Sequence, residues 1–380
     1  MLSRYLRSTT LALAAALCLA PAALVAQSDQ PTPSEPAAQE QPQGQFEGRV
    51  DVNEVLLDVL VTDRKGNVIV GLDKSDFQVT EDGKPVELTG VTFYSNRKLI
   101  ESSPALAQRG VTADQVPEDR YFVLFFEDQK GAAADAPELL ASQMDAGRRA
   151  REWVRKGLLR NDWVAVVSYD AKLKVHQDFT RDRGALQQAI ADAIKGKDVD
   201  GNWPSRIEAG EGPSLRAGLP RGNDLRKESG TNYDAVRLVA EASGKITGRK
   251  NLLFFTNGFA GRVNTFGQYQ PDPKYYPEMS RALNDNNVAV YPIDLTPAGT
   301  EHTLSNFMNE LANDTGGRYF YNFTNFTTPL EQIADENSGY YLLSYRSEKP
   351  AGEKGFQEVR VKTSNPEFRI RARKGYDYGS

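Results

Sequence analysis

The sequence predicts an α/β protein: a doubly wound, mostly parallel sheet with one antiparallel strand, joined to a small β-sandwich built from the two ends of the chain. Three observations carry that expectation. Apolar runs at 121–126 and 251–256 are continuous, as in strands buried on both faces, and they alternate with stretches of helical periodicity. The runs 163–169 and 173–179 are separated only by Asp170-Ala171-Lys172, which makes them antiparallel neighbours. Alternating apolar patterns fill 47–100 and return in 338–376 with no helix between the strands, so these two segments are expected to pack together.

Taken in order, residues 1–26 place Arg4 and Arg7 ahead of an apolar run, then small residues ending at Leu24-Val25-Ala26. That order predicts a secretory signal peptide cleaved after Ala26. Pro21 interrupts the run, which falls short of the roughly 20 residues that span a bilayer. The mature protein is therefore expected in the periplasm or outside the cell, without Cys18 and without a transmembrane segment. Residues 27–46, mostly Gln, Pro, Glu, Ser and Ala, lack the apolar side chains that ordering requires and read as a disordered linker.

In 47–100, Val50, Val52, Val55, Leu57, Val59 and Val61 mark a half-buried strand that resumes at 68–70 after a turn. Segments 76–80 and 86–93 flank Glu81-Asp82-Gly83-Lys84, and Asp-Gly accepts the positive φ angles of a tight hairpin. Residues 102–118 are a polar connection. The α/β domain is expected over 119–337. Its helices are read at 137–159, 184–194 (capped by Thr180 or Asp182), 233–243, 274–286, 304–313 and 329–336. Its remaining strands fall at 288–293 and 318–321, and the long insertion 196–230 reads as a surface loop or a partner-contact loop. In such sheets ligands sit beyond the carboxyl ends of the strands, where strand order reverses. The loops after Phe126, around Thr231 and after Thr256 are the ones that meet there.

Composition removes several function classes. The 380 residues carry a net charge of −5, which gives no general attraction to nucleic acid or anionic lipid. One cysteine and two histidines exclude a disulfide framework, a zinc finger and a multi-histidine metal site. No phosphate-binding Gly-x-x-x-x-Gly-Lys-Ser/Thr, no Gly-x-Gly-x-x-Gly and no His-Glu-x-x-His occurs, and His176 and His302 read as ordinary surface or capping residues.

Gly230-Thr231-Asn232-Tyr233-Asp234-Ala235 and Leu253-Phe254-Phe255-Thr256-Asn257-Gly258, together with the hairpin 166–179, resemble the von Willebrand factor A-type domain. More narrowly, the chain is similar to exported A-type-related proteins of acidobacteria. The stretches that carry this include Gly71-Leu72-Asp73-Lys74-Ser75-Asp76-Phe77, Gly339-Tyr340-Tyr341-Leu342-Leu343-Ser344-Tyr345 and Arg371-Ala372-Arg373-Lys374-Gly375-Tyr376. The resemblance implies a binding or adhesion module of the bacterial envelope with a metal-ion-dependent adhesion site. The family's Asp-x-Ser-x-Ser is here Glu127-Asp128-Gln129-Lys130-Gly131, and Asn257 stands where the family has Asp. Glu127, Asp128, Thr231 and Asn257 are the oxygen donors a divalent cation (Mg²⁺ or Mn²⁺) would use. The lost serines and the charge of Lys130 make a metal-free polar cluster the expectation, with the cation as the alternative.

A non-catalytic module that binds a protein partner is thus expected. Its candidate contacts are Phe259, Phe266 and Tyr269 in the loop after Asn257, since aromatics anchor interfaces, with Arg221 and Arg226 in the insertion. The alternatives are an α/β hydrolase or phosphotransfer enzyme using Asp128, and a purely structural envelope component.

Overall fold

The computed structural model describes residues 50–95, 119–128, 137–198, 212–259, 261–265, 269–300, 304–350 and 353–379. The expected signal peptide and linker, the 102–118 connection, Gln129, Lys130, Gly131, Phe266 and His302 lie outside the described residues.

The chain begins with β1 (Val50–Thr62), β2 (Phe77–Glu81), β3 (Lys84–Val86) and β4 (Leu88–Ser95). Asp82 and Gly83 both take positive φ, 46° and 77°, which is the hairpin geometry expected of Asp-Gly. Two expected strands change. The segment 68–70 contributes only a bridge from Val68 to Thr62. The run 86–93 breaks at Glu87, so β3 stays in the hairpin while β4 crosses to the other sheet.

The α/β layer follows. It contains β5 (Arg120–Glu127), α1 (Pro137–Lys156), β6 (Asp162–Tyr169), β7 (Leu173–Thr180), α2 (Arg183–Ile194), α3 (Asn223–Glu228), α4 (Asn232–Ala242) and β8 (Lys250–Thr256). A short hairpin, β9 (Gly261–Val263) and β10 (Tyr269–Pro271), comes next, then α5 (Tyr276–Asp285), β11 (Val288–Asp294), α6 (Ser305–Asp314) and α7 (Thr327–Glu336). The sheet order is β11-β8-β5-β6-β7, with all pairs parallel except β6–β7. Strand order therefore reverses at β5, and the crevice between the carboxyl ends of β5 and β8 is the switch point. Alternate β5 side chains serve the two faces. Val123 and Phe125 pack under Tyr233, Met279 and Phe307 of α4, α5 and α6, whereas Phe122, Leu124 and Phe126 pack under α1, α2 and α7. The expected strand at 318–321 shrinks to one parallel bridge, Phe320 to Ile293, before Asn322 turns at a φ of 59°.

The chain closes with β12 (Gly339–Pro350), β13 (Gly355–Thr363), β14 (Arg369–Arg371) and β15 (Gly375–Tyr378). These strands complete two four-stranded sheets, β14-β1-β12-β4 and β15-β13-β2-β3. Leu57, Val59, Phe77, Val79, Leu343 and Val359 share the core between them, so the sandwich draws on both ends of the chain. Its buried carboxylate, Glu81, accepts hydrogen bonds from Ser347 Oγ at 2.7 Å, Gln357 Nε2 at 3.1 Å and the Tyr376 hydroxyl at 3.0 Å. Each of these bonds ties the first strands to the last. Among the described residues, no helix is long and apolar enough to cross a membrane.

Candidate functional site at the carboxyl edge of the sheet

Glu127 is the last residue of β5, and its carboxylate points across the switch point. The Thr256 hydroxyl, at the end of β8, donates to Glu127 Oε2. Asn232, the first residue of α4, donates from Nδ2 to Glu127 Oε1 at 2.8 Å. The Gly258 amide in turn donates to Thr256 Oγ1 at 2.8 Å, which fixes the turn after β8. Three loops far apart in sequence are joined through one carboxylate.

Burial pushes the Glu127 carboxyl up to about 7, and the bonds from Thr256 and Asn232 pull against that shift. The phenol of Tyr169 nearby is raised to about 12, first by burial and then by the charges of Glu127, Asp234 and Asp170. Its hydroxyl donates to Gly230 O at 3.0 Å and holds the chain leading into α4 against the end of β6.

The other expected site residues do less. Thr231 is the N-cap of α4: its hydroxyl accepts from the Asp234 amide at 3.1 Å and donates to Asp234 Oδ2 at 2.7 Å. Asp128 follows β5, its amide bonded to Tyr169 O at 2.9 Å and its carboxylate accepting from Gln143 Nε2 at 3.3 Å. Asn257 is partly exposed in the turn beyond Thr256.

Among the described residues, the expected oxygen donors are engaged with one another and with their own helix rather than gathered around one point. Both Glu127 oxygens accept hydrogen bonds, Oε1 from Asn232 Nδ2 and Oε2 from the Thr256 hydroxyl. Thr231 is committed to its own helix. Among the described residues, no group of three or more His, Cys, Asp or Glu side chains is gathered as metal ligands.

The solved structures to which this chain is similar match it at low identity. The von Willebrand factor domain of the type V pilus tip protein Mfa5 from Porphyromonas gingivalis is 12% identical, over 58% of this chain and 95% of its own, with a TM-score of 0.39. BatB from Bacteroides thetaiotaomicron is 15% identical, over 57% of this chain and 97% of its own, with a TM-score of 0.35. Proximal thread matrix protein 1 from the mussel byssus, solved with zinc in its metal-ion-dependent adhesion motif, is 13% identical over 58% of this chain, with a TM-score of 0.35. This chain covers about half of that protein, 48%. No family model and no curated protein matches the chain.

The expected partner contacts divide. Phe259 is a correction: it is 1% exposed and packs on Tyr233, Phe254 and Phe307, so it belongs to the core. An aromatic three residues past a buried strand reads equally as contact or as core, and the three buried rings around it decide. Tyr269 is partly buried on β10, and its hydroxyl donates to Phe259 O. Arg221 and Arg226 are exposed. The surface-loop reading of 196–230 fails over its second half, because Leu215, Leu219 and Leu225 are buried in the main core. Asp178 anchors that half, accepting from Ser214 Oγ at 2.5 Å and the Leu215 amide at 2.8 Å. The spacing of those leucines was the available signal.

His176 is also more than a surface residue. Its Nε2 lies 2.8 Å from Ser168 Oγ, and burial lowers its pKa to about 4, which keeps it neutral.

Proposed function

We propose that the chain is an exported, non-catalytic A-type-like module that binds a protein partner in the bacterial envelope. The partner is held by the loops at the carboxyl edge of the sheet, with a hydrogen-bonded carboxylate in place of the family's cation. The observation that carries this reading is the closure of Glu127 by Thr256 and Asn232. It gives the three loops a fixed relative geometry without metal, and a preorganised surface binds with a smaller ordering cost. Arg221 and Arg226 are exposed cations on the segment that leads to Gly230, whose carbonyl accepts from the Tyr169 hydroxyl at the end of β6. Arginine is a favoured contact residue at interface centres. A phosphotransfer role for Asp128 would need a phosphate-cradling loop, and the sequence holds no such motif. Export rests on the pattern of residues 1–26, and amino-terminal sequencing of the mature protein should begin at Gln27.

The test is capture of partners from envelope extract by wild type and by Arg221→Glu with Arg226→Glu. Specific partners should drop by roughly tenfold or more in the variant, as when a central charged contact is lost. Equal recovery of the same proteins would remove these residues from the contact.

A further inference from the structure

The sandwich ends on one side in a strand that lacks the usual protection of a sheet edge. β4 is the last strand of the sheet β14-β1-β12-β4 and pairs only with β12. An edge strand offers backbone groups to any strand that approaches, so edges are normally blunted with charged residues or proline. Every other edge of the three larger sheets follows that rule: Arg371 lies in β14, Asp377 in β15, Pro85 in β3, Pro292 in β11 and Asp178 in β7. β4 reads Leu88-Thr89-Gly90-Val91-Thr92-Phe93-Tyr94-Ser95, with neither. Val, Thr, Phe and Tyr are also the residue types that favour strands.

The edge is open as well as uncharged. Among the described residues, the backbone bonds of 91–94 run to β12 alone, and Thr89 is met from outside, its carbonyl accepting from Lys74 Nζ at 2.6 Å. Thr92 is exposed, and Val91, Phe93 and Tyr94 are partly exposed. Strand alternation sorts these side chains. Val91 and Phe93 lie opposite Leu343 and Tyr341 on the core side, whereas Gly90, Thr92 and Tyr94 lie opposite Ser344, Leu342 and Tyr340 on the outer side. Both rings are already fixed: Phe93 packs on Tyr341 with centroids 4.8 Å apart, and Tyr94 stacks on Tyr340 at 5.5 Å.

The strand is complementary to itself. Directly opposite residues of an antiparallel pair share a face, so a twofold axis through Thr92 brings a second β4 alongside with core side beside core side. Thr92 then meets its own copy, Val91 meets Phe93 and Gly90 meets Tyr94. Thr–Thr and aromatic–β-branched pairs stabilise antiparallel strands, and an aromatic ring opposite a glycine covers its backbone. No like charges are brought together. A contact of this isologous kind closes at two copies.

We propose that the protein forms a dimer by antiparallel pairing of β4 with β4 of a second copy, joining the two sandwiches in one continuous sheet. Sedimentation of the mature protein from about 1 to about 300 µM should show a reversible dimer with a Kd of about 1–100 µM. Thr92→Lys, which opposes two ammonium groups at the axis from an exposed position, should weaken the dimer roughly tenfold or more. Thr92→Val, uncharged and β-branched, should leave it intact. Cross-linking reads the register, because the chain from Gln27 onward contains no cysteine. Opposite Cα atoms in antiparallel strands are about 4.5–5.5 Å apart, within disulfide reach, so Thr92→Cys should form a covalent dimer with oxidised glutathione as the oxidant. Thr89→Cys, which the same register places about 20 Å from its own copy, should not. A monomer throughout the concentration range overturns the proposal, whether or not a strand from another protein adds to the edge. So does a dimer that Thr92→Lys leaves intact, or equal cross-linking by the two thiol variants.

Discussion

The two ends of the α/β sheet handle buried polarity in opposite ways. At the carboxyl edge Glu127, Thr256, Asn232 and the Gly258 amide bond to one another. At the amino edge Ser95, Arg249 and Asn251 are buried with polar atoms unmatched. The carboxyl edge is thus closed by internal hydrogen bonds, while the edge beside the sandwich seals polar atoms in without partners among the described residues. A motif position therefore does not identify a ligand site unless its atoms still have bonds to make.

The largest effects should come from breaking what supports each end. Phe259→Ala removes a ring enclosed by Tyr233, Phe254 and Phe307, and should cost about 3–5 kcal/mol in a urea unfolding titration. A partner-contact role alone would leave stability nearly unchanged. Arg120→Met leaves Asp162 buried without its cation at the amino edge, with an expected loss also of about 3–5 kcal/mol. Next, Thr256→Val keeps the shape but removes the hydroxyl from Glu127, which should cost about 1–3 kcal/mol in the same measurement. Neutrality there would mean that the carboxyl edge is not held together as described.

The remaining effect is a pH dependence. Folded Glu127 keeps its proton up to about pH 7 against an ordinary 4.5, so its contribution is complete below pH 4.5 and is lost as pH rises through 7. His176 stays neutral down to about 4 against an ordinary 6.5, so its contribution is complete above pH 6.5 and is lost as pH falls through 4. The two slopes oppose each other between pH 4.5 and 6.5. Glu127→Gln removes the falling one, so the variant should gain stability relative to wild type from pH 4.5 to 7, read as urea midpoints. Parallel curves would contradict the burial of Glu127.

Much of the fold was legible because it rests on local pattern. Continuous apolar runs marked β5 and β8, the Asp170-Ala171-Lys172 turn marked the antiparallel β7, and Asp82-Gly83 marked the hairpin. The candidate site was legible only in outline. Glu127 was visible at the end of a buried strand, but Asn232 and Thr256 became its partners through contacts 105 and 129 residues away in sequence. The open edge of β4 left no motif, because a strand is an edge only by its place in the sheet order, which β12 and β14 complete from the far end of the chain. Phe259 went the other way: its composition suggested a surface contact, and three distant rings made it core.

The closure of the carboxyl edge is tested most directly by calorimetric titration of Mg²⁺ into wild-type protein at pH 8, where Glu127 is ionised and most able to hold a cation. With both oxygens of Glu127 engaged by Thr256 and Asn232, binding should be no tighter than about millimolar. Binding at about micromolar Kd would show that the cluster opens to a metal, and the closed-edge reading would be wrong.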